Sequence, residues 1–164
     1  AYFLHAVFLN LKPTTKLRHF RGKDYLCDMA KILALDIGGK RTGLAETDPL
    51  QMMAFPLKTV LTADLMPVLD GYIQEHQPEI IVVGDPSEFT EVETDSTRLI
   101  QQWVAKISAR FPKIQVVLVD ESDTSKLASQ TLIAGGMKKS KRREKGALDK
   151  VAASLILERF LAQR

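Results

Sequence analysis

Cysteine is all but absent. Cys27 is the single one in 164 residues, which excludes an internal disulfide framework and any cysteine-rich zinc cluster and fits a reducing, cytoplasmic setting. Long apolar runs are missing too. No stretch approaches the roughly 18 residues that a membrane-spanning helix requires, so no membrane partner is expected. There is no internal repeat or low-complexity segment, and 45% apolar composition over this length suits one domain with a proper core.

A strong net charge is also lacking, but the formal +3 is unevenly spread. Residues 1–28 hold five Lys/Arg against two Asp, so the remaining chain is balanced overall. Within that neutral body, Lys138 to Lys150 gathers seven cations and two acids, while Asp85, Glu88, Glu91, Glu93 and Asp95 form an acidic stretch. Such segregation allows a local contact with a polyanion without a globally basic protein. Residues 1–28 show neither helical nor strand periodicity, and their positive charges follow the apolar part instead of preceding it, which is the wrong order for a signal peptide. The expectation is an overextended start or an extension before a domain spanning 29–164.

Within that domain the pattern alternates. Ile32 to Leu35 reads as a strand buried on both faces, Gly38-Gly39 as a tight turn, and Gly43-Leu44-Ala45 as a second strand. Phe55 to Val60 reads as a third strand, antiparallel and sequential with the first two. Thr62 to Gln77 places Leu65, Val68, Leu69, Tyr72 and Ile73 at helical spacing, with Thr62 as N-cap. A strand over Glu79–Gly84, a helix over Thr94–Phe111 and a strand over Ile114–Val119 follow. A helix over Thr124–Ile133 stops at Gly135-Gly136. The last helix, Ala147–Leu161, turns Leu148, Val151, Ala152, Leu155 and Ile156 inward. Right-handed crossovers then make the last two strands parallel to the first. The fold class is α/β: a mixed five-stranded sheet with helices on both faces.

Three carboxylate positions stand out on this frame. Asp36 ends the first strand, Asp120-Glu121 ends the last, and Asp149 falls in the first turn of the final helix. An ionised carboxylate driven into an apolar run costs several kcal/mol unless something compensates it. Sites in such sheets gather at the carboxyl ends of parallel strands, and a hard divalent cation takes oxygen ligands. Each acid also has a plainer role: Asp36 accepting hydrogen bonds from the Gly38-Gly39 turn, Asp149 as a favourable charge at a helix N-terminus, and Asp120-Glu121 as a lead-in to the next helix.

The stretches LALDIGGKRTGLAETD, IIVVGDP, VVLVDESDTSKLASQTLIAGG and KKSKRREKGALDKVAASLILERFL, in that order, resemble the successive motifs of the YqgF/RuvX family of candidate Holliday junction resolvases, also described as candidate pre-16S ribosomal RNA nucleases. The resemblance runs from about Met29 to the C-terminus. It implies an RNase H-like, RuvC-like fold, three layers α/β/α, and a nuclease that depends on Mg²⁺ or Mn²⁺. It implies catalytic and metal-holding acids at Asp36, Glu121 and Asp149. Two departures accompany it: Ser122 stands where the family usually has arginine, and the segment 84–93 carries acids where the family has a polar loop.

The expected function is therefore a metal-dependent endonuclease acting on structured RNA or branched DNA, as a monomer or homodimer in the cytoplasm. Asp120 or Asp85 is a further candidate ligand. Lys40 and Arg41 are expected near the phosphates. Lys138, Lys139, Lys141, Arg142, Arg143 and Lys145 are expected to grip the backbone by charge without reading sequence. A solvated loop is the plainer reading of that run, and its lack of aromatics disfavours stacking on single strands. Two other classes compete: a non-catalytic nucleic-acid-binding or adaptor domain of the same fold, and a fragment of an actin-like phosphotransferase. The latter needs two such domains and a second phosphate-binding turn, which 164 residues do not supply.

Overall fold

Four successive apolar residues, Ile32 to Leu35, suit only a strand covered on both faces, and in the computed structural model all four are fully buried. The structure describes residues 30–85, 94–120 and 146–164. Strands β1 (Ile32–Ile37), β2 (Arg41–Thr47), β3 (Ala54–Leu61), β4 (Ile80–Asp85) and β5 (Gln115–Asp120) form one sheet in the order β3-β2-β1-β4-β5. The first three pair antiparallel, and β4 and β5 continue parallel to β1. This is the RNase H-like arrangement.

Alternation along β1 feeds two cores. Leu33, Leu35 and Ile37 join Ile81, Val83 and the helices α1 (Leu65–His76) and α2 (Asp95–Arg110), through Leu65, Leu69, Tyr72, Ile100 and Ile107. Ile32, Ala34, Ile80 and Val82 turn the other way, against Ala153, Ile156 and Leu157 of α3 (Ala147–Ala162). A sheet thus lies between two helical layers. Each fully buried Leu or Ile contributes about 1.5–3 kcal/mol by leaving water.

Local chemistry sets several boundaries. Strand β2 begins at Arg41, two residues before the expected Gly43, because the Gly38 N–H donates to the Arg41 carbonyl at 2.9 Å and closes the turn early. Pro56 is accommodated because β3 is an edge strand, and the β2–β3 register shifts at Leu44/Ala45 beside it. The helix expected from Thr94 begins there, with Thr94 as its cap, accepting from the Thr97 N–H at 3.3 Å. Thr62 does not cap α1. It opens a short 3-10 turn, Thr62–Asp64, and Asp64 precedes α1 without a side-chain cap. The buried Thr62 hydroxyl donates instead to the Gly38 carbonyl at 2.7 Å, and the Thr62 N–H to the Lys40 carbonyl at 3.1 Å, tying the β1–β2 turn to the end of β3.

The inward face of α3 is also corrected. Ala152, Ala153, Ile156 and Leu157 are buried, whereas Leu148 is exposed and Val151 and Leu155 are half-buried. Apolar residues occur nearly all round this helix, so spacing alone does not define one stripe. No helix among the described residues is long and apolar enough to cross a membrane. The segment 1–28, the expected helix at Thr124–Ile133 and its Gly135-Gly136 stop lie outside the described residues.

One acid on the α1 side is fully answered. Glu46 accepts from the Tyr72 hydroxyl at 2.6 Å and from the Lys31 ammonium at 2.9 Å. Burial would raise its carboxyl, but these donors outweigh burial and hold it below its usual 4.5. A depressed acid stabilises the fold above its unfolded value and loses that contribution as pH falls through the folded one. Tyr72→Phe should therefore cost about 1–2 kcal/mol at pH 7, with the gap to wild type narrowing below pH 4.5. Thermal melts at pH 7 and pH 3.5 check this, and coincident midpoints at pH 7 would show that the bond contributes nothing.

Candidate functional site

One row of residues crosses three adjacent strands. Asp36 on β1 is the register partner of Gly43 on β2, and Gly43 is the partner of Thr59 on β3. Alternation turns Asp36 to the same face as Ile32 and Ala34, beneath α3. The first turn of α3 lies across this row.

Gly43 permits a contact that no other residue would. A Cβ there would stand 2.0 Å from the carbonyl oxygen of Asp149 and 2.8 Å from the amide nitrogen of Lys150. The helix backbone therefore rests directly on the strand. At the other end of the row, the Thr59 hydroxyl donates to the Gly146 carbonyl at 2.7 Å. Gly146 precedes α3 in the left-handed region, at φ +96°, where a side chain is strained.

This seating brings Asp149 to Asp36. Burial first, and the nearby Asp149 carboxylate second, push the Asp36 carboxyl up to about 6. Asp149 has a cation: the Arg41 Nε donates to its Oδ2 at 2.7 Å. Asp36 has no such donor among the described residues. The Gly38 amide, which the turn was expected to offer it, goes to the Arg41 carbonyl instead. A half-buried carboxylate without a donor, beside a second acid at the end of a central strand, is a donor set that suits a hard divalent cation.

The other residues singled out in the sequence divide. Lys40 is exposed on the β1–β2 turn, at the same end of the sheet as Asp36. Arg41 is committed to Asp149. Asp120 ends β5 beside Asp85 on β4, and Arg159 of α3 donates to its carbonyl at 2.7 Å and its carboxylate at 2.9 Å. Glu121, Ser122, the segment 86–93 and Lys138, Lys139, Lys141, Arg142, Arg143 and Lys145 lie outside the described residues. Among the described residues no three His, Cys, Asp or Glu side chains stand close enough together to hold a metal. Three contributors escaped sequence reading. Gly43 carried a signal, its place in the glycine-punctuated first motif, but Thr59 and Arg159 carried none.

The fold and site define an RNase H-like α/β protein with an acid pair at the carboxyl end of its central strand. The chain belongs to the RuvX family: the family model, described as a Holliday junction resolvase, matches residues 30–163. A protein of Christiangramia forsetii is 42% identical over 133 residues, 81% of this chain and 98% of its own length. One of Amoebophilus asiaticus is 42% identical over 134 residues, 82% and 95% of the two chains. Both carry the provisional name pre-16S rRNA nuclease, and the chain is thus a member of a nuclease family. Among solved structures, Thermus thermophilus RuvC in complex with a Holliday junction substrate aligns with 81% of this chain and 94% of its own at 16% identity and a TM-score of 0.48.

The raised Asp36 carboxyl has a sign that can be measured. An acid raised to about 6 from 3.8 contributes no penalty while both states are protonated, and costs stability progressively as pH rises through that window. Without metal, Asp36→Asn should stabilise the protein by roughly 2–3 kcal/mol at pH 8 and by nothing near pH 3.5. Melting in chelator at both pH values checks this, and an unstabilised variant at pH 8 would mean that Asp36 is freely hydrated.

Proposed function

We propose that this protein is a divalent-metal-dependent endonuclease acting on structured nucleic acid, with a ribosomal RNA precursor as its first substrate class. The observation that carries the reading is the acid pair: Asp36, raised and without a donor among the described residues, faces Asp149 across the seat made by Gly43. The names of the relatives favour the RNA precursor. The family description makes a four-way DNA junction the second reading. Both present dense phosphate on a folded backbone.

Asp36 and Asp149 would hold Mg²⁺ or Mn²⁺, joined by Glu121, which follows directly on β5. When bound, such ions activate water and stabilise the leaving oxygen of a phosphodiester. The chain's own residues prepare the place. Arg41 holds Oδ2 of Asp149 and so limits the rotation of that carboxylate. Asp120 is engaged by Arg159, which favours Glu121 over Asp120 as the third ligand. Lys40 offers an exposed cation for a phosphate at the sheet end. The basic run, Lys138 to Lys145, joins α3 through Gly146 and would grip the backbone by charge. The protein would work in the cytoplasm.

Purified protein with Mn²⁺ should cleave a precursor leader RNA or a four-way junction in preference to plain duplex. Asp36→Asn should lower the cleavage rate by at least about 100-fold, because the amide keeps the shape but removes the charge a divalent ion needs. Full cleavage by this variant sinks the site. An adaptor domain would bind these substrates and cut none.

The grip has its own test. Replacing Lys141, Arg142 and Arg143 with alanine should weaken binding about equally for all sequences. The log–log salt slope should shrink by roughly 0.7–0.9 for each phosphate no longer neutralised, hence by up to about 2–3. Metal affinity should not change. An unaltered slope across a salt series would leave the run facing only water.

A further inference from the structure

The first turn of α3 is held in an unusual way. No side chain caps it at Gly146, and its first intrahelical bond, from the Lys150 N–H to the Gly146 carbonyl, is stretched to 3.5 Å. That carbonyl has a closer partner, the Thr59 hydroxyl at 2.7 Å. A residue 87 positions away thus supplies the contact that the helix itself makes poorly.

Geometry gives this contact its leverage. Thr59, Gly43 and Asp36 share one row, with neighbouring strands about 4.8 Å apart. Gly146 sits on the first member, the Asp149 backbone on the second, and the Asp149 carboxylate acts on the third. Glycine at 43 removes an obstacle but attracts nothing, so it allows the approach without fixing it. Thr59 is the polar anchor of the row. Its side chain also fills the space at Gly146, where a Cβ would meet the Thr59 Cβ at 2.9 Å.

We infer that Thr59 is a positioning residue for the acid pair: by holding the Gly146 carbonyl it sets the first turn of α3, and with it the approach of Asp149 to Asp36. The inference rests on the proposed metal site. It adds that the third strand of the sheet, remote in sequence from every acid of the pair, determines how well that site binds its ion.

Thr59→Val keeps the branched shape and removes the donor; Thr59→Ser keeps the donor and removes a methyl. In the full chain, Thr59→Val should weaken Mn²⁺ binding, measured by calorimetry, about 10-fold, the low end for residues supporting a metal ligand. Thr59→Ser should stay within about twofold of wild type. In metal-free protein, the Lys150 amide should exchange with solvent several-fold faster in Thr59→Val than in Thr59→Ser. If valine prevents folding, Thr59→Ala takes its place against serine. Wild-type Mn²⁺ affinity in the donorless variant overturns the inference, as does an equal drop in the serine variant, which would mark a packing effect only. Asp36→Asn measured alongside separates the two claims. Loss of Mn²⁺ there with retention in Thr59→Val removes the role of Thr59 alone, whereas retention in both removes the metal site and the inference together.

Discussion

The structure turns on a backbone contact, the seat of α3's first turn on Gly43. A helix normally stands off a sheet by the length of its side chains, and the first turn of α3 comes closer than that. With no Cβ at 43, the peptide of Asp149 and Lys150 comes against β2 itself. Because Gly43 is paired with Asp36, the closest point of approach coincides with the acid. The core on this face holds the body of the helix, where Ile156, Leu157 and Ala153 press α3 onto Ile32, Ala34, Ile80 and Val82, and the first turn is seated at Gly43 and Thr59.

The acids of this protein differ in how they are answered. Glu46 has Lys31 and Tyr72, Asp120 has Arg159, and Asp48 accepts three backbone amides in the β2–β3 turn. Each is answered by donors that favour its charge. Asp36 is not, among the described residues, and it is placed beside a like charge. A fold that answers Glu46, Asp48 and Asp120 with donors yet leaves Asp36 beside a like charge supports the metal site proposed above. Arg41 refines the picture, since its commitment to Asp149 makes it part of the site's scaffold as well as a candidate phosphate contact.

Much of the architecture was legible in the chain. The doubly buried strands Ile32–Leu35 and Ile80–Val83, the amphipathic α2 and the order of elements all follow from periodicity and punctuation. Two local readings failed for one reason: a residue's local preference gave way to a distant partner. Thr62 has the chemistry of a cap, but its hydroxyl is drawn to Gly38 across the sheet end. Leu148 has the spacing of a core residue, but α3 is apolar nearly all round, and the seat at Gly43 and Thr59 decides which face turns inward.

By itself, then, the sequence determined which residue types stand at the strand ends and helix starts, because burial, alternation and glycine punctuation are local matters. It placed Asp36 and Asp149 at the ends of their elements and marked the family through four ordered motifs. Only the tertiary structure decided how they meet. Strand register aligned Asp36, Gly43 and Thr59 across three strands, and register depends on pairings between segments that lie apart in the chain. The same long-range pairing gave Asp149 to Arg41, Asp120 to Arg159 and the Gly146 carbonyl to Thr59. No periodicity carries such partners, because a hydrogen bond between residues 87 or 108 positions apart exists only once the sheet has brought them together.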